Sequence, residues 1–402
     1  MNRVAITGLG VVSPVGSDLG SYWDALVEGR SGIGPLMSVP TERLTVRIAA
    51  QVKNHFPERN FHSRTVPLLD RFAQFAVIAA RHAVIDSGLV FSEELAEATA
   101  TIVGTGVGGQ HTLDDGYFRL YGQNAARLHP FTIPRLMVNA AASQISMDLG
   151  LKGPAFAVAS ACASGAHAIG VALDMIRCGR ASVALAGGAE ACLTVGTLKG
   201  WEALRVLSAD TCRPFSRNRS GLVLGEGAAI LVLEPLDRAV ARGARIYAEL
   251  RGFGMSADAD DIIAPNAKGS ARAIRAALAD ARMPEDSVDY INAHGTGTTL
   301  NDSTETQAIR AVFGTHADRL AISSSKAVLG HGLGAAGAFE AAATALAIHK
   351  RVLPPTANFE EPDLDCDLDV IPNIARDGRI RCALSNSFAF GGLNAVLALG
   401  AL

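Results

Sequence analysis

Four segments of this chain recur in the same order in its two parts, and that recurrence limits the fold more than any single motif. VAITGLGVVS, from Val4, returns as AELRGFGMSA from Ala248, and ATIVGTGVGG, from Ala100, returns as DYINAHGTGT from Asp289. SACASGAHAIGVALDMIRCGR is matched by GHGLGAAGAFEAAATALAIHKR, each placing a reactive type of residue before a small-residue helix. VALAGGAEA is matched by ALSNSFAFGGLNA, each a strand running into a Gly-Gly turn. A period this long excludes a solenoid and points to a duplicated α/β unit. The expected division is 1–245 and 246–402.

Local patterns agree with that reading. The 41 glycines punctuate short β-branched runs and Ala-rich helical runs without forming a low-complexity tract. Strands are expected over 4–7, 100–103, 183–186, 229–233, 290–292, 321–323 and 395–399. Helices are expected over 22–28, 69–87, 165–178, 271–281, 305–313 and 337–349. Nearly continuous apolar strands between helices suit a sheet covered on both faces.

Composition narrows the class. With 402 residues, 49% hydrophobic and 19% charged, the chain can bury a large core. A formal net charge of -3 with no basic run gives no sign of a nucleic-acid partner. Six cysteines without a C-x-x-C pair suit neither a disulfide scaffold nor a zinc site. The first residues do not read as a signal peptide, and the apolar runs are too short for a membrane span. A reducing cytoplasm is the expected location.

Cys162 stands just past a short apolar strand expected to end at Ser160, where a run of small residues opens a helix. A thiol there would sit over unpaired helix N–H groups that favour thiolate, and its small neighbours would admit a thioester. A buried structural thiol is the plainer alternative. His294 follows a strand in YINAHGTGTTLND, and His331 lies in ISSSKAVLGHGLGAAG, five residues after Lys326. A thiolate to take an acyl group, with two neutral imidazoles donating to a developing enolate oxygen, makes one coherent set. Lys326 would orient a histidine and Glu340 would hold the lysine. Metal ligation by the two histidines is the rival, weakened by the lack of a third ligand at ligand spacing. Phe388 and Phe390 precede a Gly-Gly turn. They are either core or a gate on glycine hinges, with backbone N–H groups forming an oxyanion hole with that of Cys162.

VASACASGAHAIG, DTCRPFSRNRSGLVLGEGA, NAHGTGTTLND, SSSKAVLGHGLGAAG and SNSFAFGGLNA together carry a family resemblance. The chain resembles the β-ketoacyl-acyl-carrier-protein synthase I/II group of the thiolase-like superfamily over essentially its whole length. Stretches such as LKGWEALRVLSADTCRPFS and CDLDVIPN look more like the nodulation-protein-E side of that group. The resemblance implies a thiolase-like α/β fold of two duplicated halves layered αβαβα. It implies Cys162 as acyl acceptor, His294 and His331 as the decarboxylation and condensation pair, and Lys326 as their support. Phe390 matches the gating residue whose N–H completes the oxyanion hole. Thr296 and Thr298 match threonines that hold the phosphopantetheine arm. Asn292, Glu340, Ser385 and Asn394 match a structural cluster that in some relatives holds a cation.

The Cys-His-His set resembles neither thiolases, which carry a second cysteine, nor the branches with asparagine in place of one histidine. Decarboxylative condensation with carrier-bound malonate is therefore the implied chemistry, with no cofactor beyond the carrier's phosphopantetheine. The implied partners are an acyl carrier protein and a second copy of the chain, with no nucleic acid. A ketosynthase subunit of a type II polyketide or aryl-polyene system is the alternative enzyme, and a non-catalytic carrier-binding scaffold the alternative without chemistry. Val107 and Thr132 stand where relatives carry larger residues at the acyl-pocket wall and floor, which implies a deeper pocket. Arg64, Arg127 and Arg205 match carrier-protein contacts, while Pro67 and Leu68 replace basic residues.

Overall fold

The computed structural model describes residues 2–402. Ten strands form one hydrogen-bonded sheet. They are β1 (Val4–Val12), β2 (Thr99–Gly104), β3 (Ala155–Val158), β4 (Val183–Glu190) and β5 (Gly227–Pro235) in the first part of the chain. The second part supplies β6 (Ala248–Ala257), β7 (Tyr290–Asn292), β8 (Ala321–Ser323), β9 (Cys382–Ala389) and β10 (Leu393–Gly400). The spatial order is β8-β7-β9-β10-β6-β1-β5-β4-β2-β3. Outward from the middle, each side runs first, fifth, fourth, second, third of its own five strands. Strand senses repeat as well, since β4, β2 and β3 are mutually parallel, as are β9, β7 and β8, and β5 and β10 are antiparallel to their neighbours. The two sides meet only where Val4, Ala5 and Ile6 pair with Leu250, Glu249 and Ala248.

Helices complete the layers. On one outer face α1 (Arg71–Ser87) packs on β1 and β5 with α2 (Ala140–Leu149) beside it. Two helices, α3 (Ser164–Arg177) and a later Ala336–Lys350, lie between the two halves of the sheet. A further helix, α4, spans Val195–Leu204. On the other outer face α5 (Ala267–Ala281) packs on β6 and β10 with α6 (Thr299–Phe313) beside it, and the Ala336–Lys350 helix is α7. Every residue of α7 from Ala336 to Ile348 is buried, as expected of an apolar helix enclosed on all sides.

The two central helices touch through glycine. A Cβ on Gly165 would lie 2.9 Å from the Ala338 nitrogen, and one on Gly337 would lie 2.8 Å from the Ala166 nitrogen. Each half thus presents the same small residue to the same place on the other. The expected strands and helices are present, most with longer ends, though α1 begins at Arg71 rather than 69. The helices at Gln110–Tyr117, α2 and α4 were not expected, whereas the short strand expected to end at Ser160 is the edge strand β3, ending at Val158. Ala155 and Phe156 of β3 are exposed.

Candidate active site

A 3₁₀ turn, Ala161–Ala163, opens α3 and carries Cys162, with Ala161 held at φ 48°. The turn Leu333–Ala335 opens α7 in the same way, with Leu333 at φ 44°. The structural counterpart of Cys162 is therefore Gly334, and His331 lies three residues earlier. The sequence parallel had set Cys162 opposite His331. Both precede similar helices, but only the turn geometry fixes the register.

Cys162, His294, His331, Thr296 and Thr298 all line one cavity of ≈ 240 Å³. Cys162 is buried, and burial pushes its thiol up to about 12. The Lys326 charge and the Phe390 backbone N–H pull the other way and do not offset it. Desolvation of the anion thus works against the expected thiolate and outweighs the local positive potential.

The imidazoles stand with ring centroids 5.5 Å apart and planes at 84°. His331 Nδ1 accepts the Leu333 N–H at 3.1 Å, so its proton sits on Nε2. Lys326 Nζ donates to the His294 backbone carbonyl at 2.6 Å and approaches His294 Nδ1 at 3.3 Å. An ammonium can only donate, so His294 also carries its proton on Nε2. Burial and the Lys326 charge hold both histidines well below the usual imidazole range, His331 adding to the effect on His294. Two neutral N–H donors result.

Lys326 pairs with Glu340, both fully buried, and burial raises that carboxyl to about 7. Glu305, which the sequence reading passed over, accepts from the backbone N–H of His294 at 2.9 Å, that of Gly295 at 2.8 Å and Asn386 Nδ2 at 3.0 Å. It fixes the loop that carries His294. Glu190, at the end of β4, accepts from Thr105 Oγ1 at 2.9 Å and from the N–H groups of Gly106, Val107 and Gly334. Glu190 lies in the repeated segment VALAGGAEA and Glu305 three residues past NAHGTGTTLND, and a sequence shows neither their burial nor their partners.

Thr296 and Thr298 share a hydroxyl contact at 2.9 Å on the cavity wall. Phe388 and Phe390 line the same cavity, and Phe390 is followed by Gly391 and Gly392 at φ 81° and 66°, a conformation that favours glycine. Asn292 and Ser385 face each other across β7 and β9, and Asn292 Nδ2 reaches the Glu340 carbonyl at 3.5 Å. Asn292 Oδ1 and Ser385 Oγ are buried without a hydrogen-bond partner. Asn394 is not part of this cluster. It lines the cavity and donates to Asp258 Oδ1 at 2.7 Å.

Val107 and Thr132 lie outside the cavity wall. Val107 is exposed on the loop held by Glu190, and Thr132 opens a short helix whose Ile133 is exposed. Arg64 and Arg127 are exposed, as is Arg205, which caps α4 at the cavity mouth. Among the described residues none of the three forms an ion pair, and no group of three His, Cys, Asp or Glu side chains could hold a metal.

A two-half α/β fold with a cysteine at one central helix start and two neutral imidazoles facing it defines a thiolase-like condensing enzyme. Residues 1–239 match the family model for the β-ketoacyl synthase N-terminal domain, and residues 247–360 that for the C-terminal domain. The chain belongs to the β-ketoacyl synthase family and is an enzyme of the acyltransferase class. It is similar to nodulation protein E of Rhizobium sp. (strain N33), 50% identical over 396 residues and 98% of each chain. It is also similar to 3-oxoacyl-[acyl-carrier-protein] synthase 2 of Synechocystis sp., 42% identical over 404 residues, 98% of this chain and 97% of the other. Among solved structures, the ishigamide ketosynthase/chain length factor has a TM-score of 0.96 at 40% identity, covering 100% of this chain and 99% of that one. A β-ketoacyl synthase from Burkholderia phymatum STM815 has a TM-score of 0.93 at 33% identity, covering 100% of both.

Proposed function

We propose that the protein extends a carrier-bound acyl chain by decarboxylative condensation, with Cys162 as the acyl acceptor. The observation that carries this reading is the pair of Nε2–H donors of His294 and His331 in one cavity with Cys162. An acyl group passes from the carrier's phosphopantetheine sulfur to the Cys162 sulfur. The thiol proton leaves with the departing thiol, since neither imidazole has a free basic nitrogen. The Phe390 N–H supports the oxyanion of this step. Malonyl-carrier then places its thioester oxygen between the two imidazoles, and Thr296 and Thr298 hold its arm. Loss of carbon dioxide leaves an enolate whose oxygen the two N–H donors stabilise. Its carbon attacks the Cys162 thioester and forms the new C–C bond. Cys162 departs as thiolate and recovers a proton from water, and the product is a 3-oxoacyl-carrier.

Burial keeps His294 neutral and the Lys326 cation adds to it, because a cation beside an imidazole opposes its protonation. Glu340 balances that charge. Oxygen donors suit a hard cation, and the unpartnered oxygens of Asn292 and Ser385 beside Glu340 fit one with a structural part. The chemistry takes no further cofactor.

An acyl carrier protein is the natural partner, with Arg64, Arg127 and Arg205 as its contacts. One comparison structure is titled as a type II polyketide acyl-carrier protein in complex with its ketosynthase, and that chain is 32% identical to this one. A second copy would cover the exposed edge strand β3 and the nearby Phe131, Ile133, Met137 and Val138. Val107 and Thr132 belong to that surface, so a homodimer would complete the acyl pocket there, with room for long or unusual chains. A cytoplasmic setting fits six free cysteines. No helix among the described residues is long and apolar enough to cross a membrane.

A ketosynthase subunit that pairs with a chain-length factor is the second reading, favoured by the likeness to the ishigamide ketosynthase/chain length factor. Mass spectrometry of the protein incubated with acyl-carrier protein and then malonyl-carrier tests the main reading. The expected result is an acyl adduct on Cys162 followed by a 3-oxoacyl product. No adduct from any carrier would leave only a carrier-binding scaffold. Turnover that needs a copurifying homologue would favour the heteromeric subunit.

A further inference from the structure

Phe390 does not stand alone in the cavity. Its ring stacks on Trp201, with centroids 5.7 Å apart and planes at 24°. Trp201 also lines the cavity and is half-buried, and it belongs to α4. That helix is well anchored at its outer side. Glu202 accepts the N–H groups of Thr45 and Val46 at 2.5 and 2.9 Å, and Lys199 Nζ reaches both Glu202 at 2.6 Å and the Arg43 carbonyl at 3.0 Å. Phe390 precedes two glycines in left-handed conformation, whose N–H groups donate to the Ile262 and Ala389 carbonyls. The Phe390 ring thus rests against a ring on an anchored helix.

We infer that Trp201 is a positioning residue that latches Phe390, holding its backbone N–H at the Cys162 sulfur during acyl transfer and releasing it once the chain is attached. An offset aromatic pair contributes about 0.5–1.5 kcal/mol beyond its burial. That is enough to bias a glycine-hinged turn and small enough to be broken on each turnover. The same helix ends at Arg205, in left-handed conformation at φ 55° and on the cavity mouth. A carrier phosphate or acidic side chain bound by Arg205 therefore acts on the element that holds the latch.

The inference rests on the role proposed for Phe390, so the test separates the two. The full-length protein is acylated in single turnover by a carrier protein loaded with a straight saturated chain, in Trp201→Phe, Trp201→Leu, Phe390→Ala and Trp201→Leu/Phe390→Ala forms. Alkylation of Cys162 by iodoacetamide is followed in the same set. The latch predicts that Trp201→Phe stays within about twofold, while Trp201→Leu slows acylation roughly three- to tenfold. Alkylation, which needs no oxyanion donor, should speed up as the ring swings free. In the Phe390→Ala background, Trp201→Leu should add nothing further. Equal losses in Trp201→Phe and Trp201→Leu, or losses additive with Phe390→Ala, would overturn the latch and leave Trp201 as pocket wall. Unchanged acylation in Phe390→Ala would instead overturn the gate and the latch with it.

A second readout does not depend on how well Trp201→Leu folds. The chain has two tryptophans, so in Trp23→Phe the indole of Trp201 is the single reporter. Its emission should shift as Cys162 is acylated and stay constant in Phe390→Ala. An emission that ignores acylation sinks the proposal.

Discussion

The two central helix starts are the same piece of backbone put to different uses. At the start of α3 the turn holds Cys162, and the last strand residue opposite, Ala389, leads into the Phe390 N–H that favours its thiolate. At the start of α7 the equivalent turn holds Gly334, whose N–H is taken by the Glu190 carboxylate at the end of β4. One start keeps its polarity for chemistry; the other is neutralised by a buried anion and serves to aim His331. The two equivalent turns thus differ in that Glu190 occupies the N–H of one of them. Cys162 then comes from one half and both imidazoles from the other.

The largest effect expected from this asymmetry is in the chemistry. Cys162→Ala should abolish condensation yet keep carbon dioxide release from malonyl-carrier. His294→Ala should lower that release by roughly 10²–10³-fold, the loss typical of one oxyanion donor. Carbon dioxide measured from both variants decides it, and retained release in His294→Ala would break the division of labour between halves.

Next in size is Glu190→Ala, which leaves four donors without their acceptor. A loss of about 3 kcal/mol in denaturant unfolding is expected, and a neutral result would mean that the two turns are not distinguished by this carboxylate.

The pH dependence follows. His294 and His331 are held below their unfolded value, so the unfolded chain binds more protons once pH falls below about 6.5. Stability should therefore be full above pH 6.5 and decline as pH drops, while the acid limb of kcat/KM lies well below 6.5. Lys326→Met removes the charge that depresses His294 and should move that limb upward. On the alkaline side, burial holds the Cys162 thiol near 12. Iodoacetamide alkylation should keep rising past pH 9, whereas a plateau near neutrality would show that the helix start outweighs burial.

The smallest effects test the symmetry itself. Gly165→Ala and Gly337→Ala each force a Cβ against the facing helix and should cost about 1–3 kcal/mol. Similar values at the two sites would show that the crossing is shared equally. A marked difference would show that one half sets the geometry.

The sequence carried the reaction class in full view. Cys162, His294, Lys326, His331 and Phe390 were all legible from five motifs, and the repeat foretold the paired strand order now seen. What stayed hidden involved residues far apart in the chain. Glu190 meets Gly334 across 144 positions and Asn386 meets Glu305 across 81. Trp201, in a helix the periodicity did not reveal, meets Phe390 through a turn. Asn394 was grouped with Asn292 and Ser385, yet it sits on the cavity wall against Asp258.

Duplication and reaction class were readable along the chain because both reside in local order: repeated segments, and reactive residues beside small ones. The protonation states and the register of the two helix starts were not. Whether Cys162 is thiol or thiolate depends on desolvation, and desolvation is a property of the packed interior. That Gly334, not His331, matches Cys162 depends on the turn at which each helix begins. Tertiary packing sets both, by placing charges and backbone donors that the linear sequence keeps apart.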